Sequence, residues 1–588
     1  MVFASRYNTQ SPGTNDPAAH PHARAARTVP TQGVAAVTEG LKRVYGIDLG
    51  TTYSAIAYVD EHGKPVVVPN QESERITPSV VLFDGESIIV GNTAKESAKV
   101  EPHRVVGRVK QHMGDPHFVF EHDGQVYSAE DISSFVLRKV VGDAQIALGG
   151  EEITDVVITC PAYFGTDERE ATANAGRLAG LNVRAILNEP TAAAIAYGLE
   201  QADDQVVLVY DLGGGTFDVT MIEIKDRLIR VICTGGDHRL GGALWDEAIV
   251  VHLADQFKVQ TGLDADPMDD AEVLNDLFLQ AERGKKTLSQ RDKAPFRVTH
   301  AGSQARVELE REGFDGITKH LLDRTVELTR DMLKDAEAKG YTKFDKIILV
   351  GGSTRMPQVR ARLVAEFQVE PESFDPDEAV AKGAALFGLK EALEDEVREI
   401  LAPAGASDGD AVDLAAVSPA AMAEALDKIE REIGFTLTGP VRELVSTRIV
   451  NVLSKSLGVV AKDEAGADRV VYLLTRNSEV PTERTTDFGT DAANQSGVEI
   501  RVVAGERDSP EPLDCKDVGT ATLDLPAGLP PRSPIRVTFA ITRDGRLVVT
   551  ARDLTGGGEI HVEFETEAVA GAEAVEERST ALRLMNVS

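Results

Sequence analysis

Three glycine-rich segments, each directly after an apolar strand pattern, constrain the fold of this chain most strongly. They are Tyr45–Thr52 (YGIDLGTT), Tyr210–Asp218 (YDLGGGTFD) and Leu349–Pro357 (LVGGSTRMP). In the first two, an aspartate, glycines and threonines follow the strand, so backbone N–H groups can approach an oxyanion beside a carboxylate. One glycine pair after a strand is most often only a turn. Two such turns and a third glycine loop indicate a phosphate site with a metal ion.

Between residues 44 and 390, short apolar runs alternate with longer amphipathic stretches, which is typical of an α/β domain. The patterns predict strands at 156–160, 206–211, 219–224 and 346–350, and helices at 167–179, 191–200, 271–288 and 318–339. The period changes to two in the C-terminal part, as in Val498–Val503 and Ile535–Ile541. This alternation, interrupted by turns, predicts an antiparallel β-sandwich.

Further motifs accompany the glycine segments: Val157–Phe164 (VITCPAYF), Asn188–Ala194 (NEPTAAA) and Glu282–Ser289 (ERGKKTLS). Together these segments resemble the seventy-kilodalton heat-shock chaperones (DnaK-like) of the actin-like ATPase superfamily. The resemblance covers residues 44 to about 390 and resumes more weakly from about 454 to 567, around Asn494–Ile500 (NQSGVEI). It implies a duplicated α/β ATPase domain whose halves face each other across a nucleotide cleft, followed by a peptide-binding β-domain.

We therefore predict a multidomain chain: a disordered arm (1–43), an actin-like nucleotide-binding domain (44–390), a helical insert and linker (391–446), a β-sandwich peptide-binding domain (447–567) and a short tail (568–588). The arm lacks apolar periodicity and cannot bury enough surface to fold. The tail implies that the helical lid of the family is nearly absent. Thr447–Asn451 differs from the leucine-rich linker of the family, which puts interdomain signalling in doubt.

An aspartate between a buried strand and a glycine turn needs a cation or hydrogen-bond donors to offset its desolvation. Asp48 and Asp211 are therefore predicted metal ligands. Lys110 taken alone would be read as a surface charge. The resemblance implies that Lys110 positions the attacking water, and it gives the other functional residues. They are catalytic (Lys110, Glu189, Thr216, Asp218), nucleotide-binding (Gly50, Thr51, Thr52, Tyr53, Gly213, Gly214, Gly215, Glu282, Lys285, Lys286, Ser289, Gly351, Gly352, Ser353, Arg355, Asp377) and peptide-binding (Phe488, Asp491, Val498).

Composition excludes several classes of protein. The formal charge of −33 disfavours nucleic acid as a partner, because phosphates would be repelled over most of the surface. No apolar run is long enough to cross a bilayer. The three cysteines, Cys160, Cys233 and Cys515, have neither metal-ligand nor disulfide spacing, which favours a reducing cytoplasm. We expect a cytoplasmic monomer.

The function favoured by the resemblance is an ATP-dependent molecular chaperone, an ATPase that binds extended segments of unfolded proteins. ATP/ADP and Mg²⁺ are the implied cofactors, with K⁺ as a further candidate. A J-domain co-chaperone and a nucleotide-exchange factor are candidate partners. One alternative is a nucleotide-switched binding module for a single dedicated client. A sugar kinase could use a similar phosphate cradle, but it would leave the β-sandwich unexplained.

Acidic residues in the loops of the β-domain, Asp491 among them, either rim the peptide cleft or only solvate the loop tips.

Overall fold

The computed structural model describes residues 41–200, 204–402, 412–433, 437–463, 465–505, 509, 511–542, 546–563 and 572–588. The predicted N-terminal arm lies outside these residues up to position 40. Two other short stretches also lie outside the described residues. They are residues 543–545, where a turn is expected, and residue 464, in the first loop of the β-sandwich. The other predicted helices and strands are confirmed, with ends that shift by a few residues. The helix expected at 318–339 already begins at Arg311.

The first lobe of the ATPase region is a mixed sheet covered by helices. Its strands are β1 (Tyr45–Asp48), β2 (Tyr53–Val59), β3 (Pro65–Val67), β4 (Thr77–Pro78), β5 (Val80–Asp84), β6 (Ser87–Val90), β7 (Val105–Gly107), β8 (Phe120–His122), β9 (Gln125–Tyr127), β10 (Asp155–Cys160) and β11 (Asn182–Asn188), and its helices are α1 (Asn92–Ser97), α2 (Ala129–Ala147) and α3 (Thr166–Leu178). The main sheet has the order β11-β10-β1-β2-β3. Strands β10 and β1 are parallel, whereas β1 and β2 form an antiparallel hairpin.

The second lobe repeats this arrangement. Helix α4 (Glu189–Glu200) leads into it, and its elements are β12 (Gln205–Leu212), β13 (Phe217–Lys225), β14 (Leu228–Asp237), α5 (Gly242–Thr261), α6 (Ala271–Leu288), β15 (Lys293–His300), β16 (Ser303–Glu310), α7 (Arg311–Ala338), β17 (Lys346–Val350), α8 (Pro357–Phe367) and β18 (Glu372–Ser373). Strand β12 pairs antiparallel with β13 and parallel with β17. Each lobe therefore has an antiparallel hairpin whose first strand also has a parallel neighbour, and each glycine turn with an aspartate connects the strands of that hairpin.

Helix α4 and helix α9 (Ala379–Leu401) cross between the two sheets. The crossing is close because small residues meet there: a Cβ atom on Gly383 would lie only 1.8 Å from the carbonyl oxygen of Ala192. On the other side, Gly46 of β1 lies against the backbone of Ala385. The glycines at this crossing thus set the distance between the helix pair and the first lobe.

Helix α9 crosses one predicted domain boundary. It runs without a break through Lys390, where the ATPase domain was expected to end, and continues to Leu401. Helices α10 (Pro419–Ile433) and α11 (Gly439–Val445) pack against this extension. Their shared core contains Leu393, Val397, Leu426, Ile429 and Val441. The helical element is an outgrowth of an ATPase-domain helix, and the apolar pattern alone could not show where the domain stopped.

The linker forms a strand. β19 (Arg448–Val452) pairs parallel with β14. The second-lobe sheet therefore has the order β18-β17-β12-β13-β14-β19, and one more short strand, described below, pairs with β19 at its edge. The sequence of the linker had put interdomain signalling in doubt. The structure nevertheless joins the linker to the ATPase domain through backbone hydrogen bonds, which a departure from leucine does not prevent.

The β-sandwich has the predicted antiparallel architecture. Its strands are β20 (Ser456–Lys462), β21 (Asp468–Leu474), β22 (Glu479–Val480), β23 (Thr482–Gly489), β24 (Gly497–Gly505), β25 (Lys516–Asp524), β26 (Pro534–Ile541), β27 (Leu547–Asp553) and β28 (Glu559–Glu563). Two four-stranded sheets, β21-β20-β24-β25 and β23-β26-β27-β28, enclose a core that includes Val502, Phe539 and Val549. The short strand β22 pairs with β19 instead and so extends the second-lobe sheet.

The C-terminal residues are more than the short tail expected from the sequence. They contain helix α12 (Ala572–Arg583) and strand β29 (Asn586–Val587). Strand β29 pairs parallel with β6, and α12 packs against α3. Both elements thus belong to the first lobe, although they follow the β-sandwich in sequence. Within the described part of the chain, no helix is long and apolar enough to cross a membrane.

The helix crossing gives a stability prediction. Gly383→Ala places a methyl group against the backbone of Ala192, and we expect a loss of about 1–3 kcal/mol or more, as for other overpacked sites. Gly142→Ala in α2 is the matched control, because its Cβ would meet no atom within 4 Å; it should be neutral or stabilising by up to about 1 kcal/mol. Urea unfolding followed by circular dichroism measures both, and equal midpoints for the two variants would contradict this packing.

Candidate functional site

The first two glycine turns meet in space. A Cβ atom on Gly214 would lie 1.9 Å from Oγ1 of Thr52, and one on Gly215 would lie 2.5 Å from Cγ2 of Thr51. Only glycine lets the turn of the second lobe approach the threonines of the first so closely. The chain thereby brings two sets of turn backbone N–H groups to one place, which is the arrangement that holds a chain of phosphates.

The third glycine loop closes on the second turn. Gly351 has φ of 83°, a conformation that glycine adopts without strain. A Cβ atom there would lie 2.5 Å from Oδ1 of Asp211. The hydroxyl of Ser353 donates a hydrogen bond to the carbonyl of Gly213 at 2.9 Å. All three glycine segments therefore contribute to a single site.

The two predicted metal ligands stand at the ends of corresponding strands. Asp48 ends β1, and Oγ1 of Thr159 donates a hydrogen bond to its Oδ1 at 3.2 Å. Desolvation, and then the nearby Glu189 carboxylate, raise the pKa of Asp48 to about 7. Desolvation, Glu189 and Asp48 raise the pKa of Asp211 well above its usual range. Carboxylates in this condition have affinity for a cation, which would restore their charged form.

Lys110 is buried, contrary to what its local sequence suggests. It lies in a short 3₁₀ turn at Val109–His112 and is 6% exposed. Its ammonium group forms an ion pair with Glu189 at the start of α4. Desolvation lowers the pKa of Lys110, but the Glu189 and Asp48 carboxylates outweigh it and raise the pKa above its usual value. The lysine is therefore a fixed positive charge beside the phosphate turns.

Asp218 lies below the second turn. Its Oδ1 accepts a hydrogen bond from the backbone N–H of Ala162 at 3.1 Å, and its Oδ2 is buried without a partner within the described residues. Desolvation, Glu189 and Asp211 raise the pKa of Asp218 well above its usual range. The cluster thus has four carboxylates, Asp48, Glu189, Asp211 and Asp218, against one ammonium group. Within the described residues, no group of three or more acidic, histidine or cysteine side chains is arranged to hold a metal ion by itself. The site instead fits Mg²⁺ bound by one or two carboxylates together with phosphate oxygens and water.

Helix α6 supplies another wall of the cleft. The hydroxyl of Tyr53 donates to Oε1 of Glu282 at 2.7 Å and accepts from Lys286 at 2.9 Å. Lys285 is turned differently, since its Nζ donates to the carbonyl of Gly242 at 2.6 Å and pairs with Asp246 at 2.8 Å. Ser289 donates to the carbonyl of Lys285. Glu282 and Lys286 therefore meet at Tyr53 and pair with each other, whereas the ammonium group of Lys285 contacts Gly242 and Asp246.

These elements enclose a cleft of about 940 Å³ between the lobes. All predicted nucleotide-site residues line it except Gly215 of the second turn and Asp218 of β13. Other residues also line the cleft but were not predicted from the sequence, including Lys95, Arg108, Asp246 and Phe278. Phe278 lies one helical turn before Glu282 and could have been found from that spacing. Lys95 and Arg108 had no such signal.

Two of the missed residues connect the lobes across the cleft. Lys95 of α1 pairs with Glu282 of α6 at 2.5 Å. The guanidinium of Arg108 lies 5.2 Å from the ring centroid of Phe278, within the range of a cation–π contact. Arg355 and Asp377, both predicted nucleotide contacts, form an ion pair at the rim. Polar contacts of this kind can exchange partners when a ligand enters.

The predicted peptide-binding residues lie together at one end of the β-sandwich. Phe488 and Val498 are partly buried against the sandwich core. Asp491 forms an ion pair with Lys462 of the neighbouring loop at 2.7 Å. Asp463 accepts hydrogen bonds from the backbone N–H groups of Ala465 and Ala467. A lysine thus pairs with one of these two carboxylates and backbone donors bind the other, and the acidic rim stays a prediction.

The fold is that of a multidomain α/β protein with a cleft between two lobes, followed by a β-rich domain. A protein-family model described as Hsp70 protein matches residues 44–121, 115–402 and 435–585. These matches cover most of the chain, and the protein belongs to the Hsp70 family. The resemblance seen in the sequence is thereby confirmed. Members of this family are ATPases with a general role as chaperones.

Lys110 gives the sharpest test of the site. Lys110→Met removes the buried positive charge and leaves both glycine turns intact, so we expect turnover to fall about 100-fold or more while nucleotide affinity changes little. Lys334→Met, at a position 73% exposed, is the control and should behave as the wild type. Single-turnover hydrolysis and equilibrium nucleotide titration measure the two quantities. Unchanged hydrolysis in Lys110→Met would remove this lysine from the mechanism.

The raised pKa of Asp48 predicts a pH dependence. Without nucleotide or Mg²⁺, the folded protein retains a proton at Asp48 that the unfolded chain has released, so the free energy of unfolding falls as the pH rises from about 4 to about 7. Asp48→Asn should lose less stability between about pH 5 and about pH 8 than the wild type does. Asp292→Asn, at a carboxylate 92% exposed, serves as control. If the free energy of unfolding changed with pH in the same way for wild type and Asp48→Asn, the raised pKa of Asp48 would be contradicted.

Proposed function

We propose that this protein is an ATP-dependent chaperone that binds extended segments of unfolded polypeptides under the control of ATP hydrolysis. The observation that carries the proposal is the position of the linker strand. Strand β19 belongs to the same sheet as β12 and β13, whose turn forms half of the phosphate site. A change in the cleft can therefore reach the β-sandwich through paired strands.

The residues of the cleft divide the chemistry among them. Asp48 and Asp211 would hold Mg²⁺, which neutralises phosphate charge in the transition state of hydrolysis. The N–H groups of the turns after Gly50 and Gly213 would bind the phosphate oxygens. Lys110, fixed by Glu189, would orient the attacking water, with Thr216 and Asp218 beside it. Positioning and electrostatics of this kind suffice for phosphoryl transfer, which needs little covalent chemistry from the protein.

A second route connects the site to the β-sandwich. The backbone of Ala162 donates to Asp218, and two residues later the carbonyl of Phe164 accepts a hydrogen bond from the hydroxyl of Ser454 at 3.0 Å. Close by, Lys516 pairs with Asp167 at 2.6 Å and Lys455 with Glu168 at 3.4 Å. The 162–168 segment thus lies between a carboxylate of the site and the first strands of the sandwich.

The helical outgrowth supports the alternative of a dedicated client. Arg184 forms an ion pair with Asp395 of the α9 extension, next to the Asn188–Ala194 segment, where the resemblance places J-domain docking. Helices α10 and α11 add a surface to this side of the ATPase domain, and α10 falls in the stretch 403–434 that the family matches leave out. We propose an unfolded polypeptide as the general partner, with a J-domain protein and a nucleotide-exchange factor as co-chaperones, in a cytoplasmic monomer.

Peptide-stimulated hydrolysis tests the proposal. We expect unrelated extended peptides with an apolar centre to raise the steady-state ATPase rate at least severalfold, and folded proteins to have no effect. Lys110→Met serves as the hydrolysis-dead control. If one partner alone stimulates, the dedicated-client alternative is correct. Hydrolysis that no peptide or partner changes would overturn the coupling between the cleft and the sandwich.

A further inference from the structure

Residues 572–588, which comprise α12 and β29, occupy a fitted surface on the first lobe; we call them the C-terminal strap. Val575 and Leu582, seven residues apart on one face of α12, are 4% and 5% exposed. Both belong to the apolar core of the first lobe. Between them, the hydroxyl of Ser579 contacts the carbonyls of Arg177 and Leu178 at 3.2 and 3.3 Å. These carbonyls end α3, where helix carbonyls lack intrahelical partners.

Two arginines fasten the strap from opposite sides. Arg578 of the strap donates to Oδ1 of Asp131 at 2.6 Å and contacts Oδ2 with its other nitrogen. The side chain of Asp131 is fully buried and also completes the capping box of α2. In return, Arg138 of α2 donates to the carbonyls of Leu582 and Met585 at 2.6 and 2.7 Å. A buried carboxylate paired in this way loses its partner only at considerable cost.

Strand β29 completes the small sheet of the first lobe, whose order is β29-β6-β5-β7. The N–H of Ser588 donates to the carbonyl of Ile88, and the N–H of Val90 donates to the carbonyl of Ser588, both at 2.9 Å. Without the strap, β6 would be an edge strand with unpaired backbone groups. Apolar burial, an ion pair to a buried carboxylate and strand pairing thus all act on the same seventeen residues.

The β-sandwich is consequently held at both ends. Its chain enters through β19, which is paired with the second lobe, and leaves toward the strap on the first lobe. The nine residue steps from Glu563 to Ala572 can span no more than about 30 Å. Release of the linker strand alone would therefore leave the sandwich on a short tether.

We propose that the C-terminal strap stays docked on the first lobe in every nucleotide state, so that it limits how far the β-sandwich can move from the ATPase domain. The docking itself is independent of the proposed function. The limit on movement rests on the proposed ATP cycle. The two parts are therefore tested by separate measurements.

The docking is tested by cutting the tether. A protease site placed between residues 564 and 571 of the full chain releases the strap as a fragment after folding. We expect native mass spectrometry to find the fragment still bound, to the same extent within about twofold, without nucleotide, with ADP and with Mg·ATP. Loss of the fragment in all three conditions would overturn the docking. Loss in one nucleotide state only would overturn its permanence.

Two leucines of the strap supply matched variants. Leu582→Asp, at the buried position, should reduce the retained fraction at least tenfold, whereas Leu584→Asp, at a position 86% exposed, should leave it unchanged. Equal retention in the two variants would contradict the docked geometry. A protein that failed to hydrolyse ATP would still retain the fragment, so failure of the proposed function would not imitate failure of the docking.

The limit on movement is tested by small-angle scattering with ADP before and after the cut. We expect the radius of gyration with ADP to exceed that with Mg·ATP only after the tether of the protein with the protease site is cut. An equal increase in the uncut protein would show that the strap does not restrain the sandwich. The absence of any increase after cutting would also overturn the limit, because the tether would then restrain nothing.

Discussion

The structure depends on the close approach of two glycine turns that come from different lobes. Gly214 and Gly215 lie so near Thr52 and Thr51 that no side chain fits between them. The same approach brings Asp48 and Asp211 into one cluster with Glu189 and Asp218, and Lys110 offsets part of their charge. Such a cluster is electrostatically costly without a cation. The lobes are therefore arranged so that Mg²⁺ and phosphate groups would stabilise the closed arrangement.

That arrangement also determines how the cleft can communicate with the β-sandwich. Strands β12 and β13 hold one turn, β14 follows, and the linker strand β19 is next in the same sheet. A paired sheet transmits displacement between neighbouring strands because the ladder hydrogen bonds resist shear. Docking of the linker depends more on a backbone that can pair than on a particular side chain. This explains how a linker without the family's leucines still docks.

The sequence predicted the ATPase fold, the β-sandwich and most of the cleft, because strand ends followed by glycine leave local signals. Lys110 shows the limit of local reasoning, since its burial and its pairing with Glu189 depend on residues 79 positions apart. Lys95 and Arg108 were missed for the same reason. The end of the ATPase domain stays a prediction, since α9 runs through residue 390 with unbroken helical periodicity. The docking of α12 depends on single buried positions such as Val575 and Leu582, a pattern too short to predict where the helix packs.

Amide hydrogen exchange of the linker strand tests the central claim most directly. The amides of Arg448–Val452 should exchange slowly when the cleft holds Mg·ATP, with Lys110→Met used to prevent hydrolysis, and much faster when it holds ADP. That difference would show that the phosphate site controls strand pairing two strands away. Equal exchange rates in the two states would contradict the account, because the cleft and the linker would then be structurally joined but energetically independent.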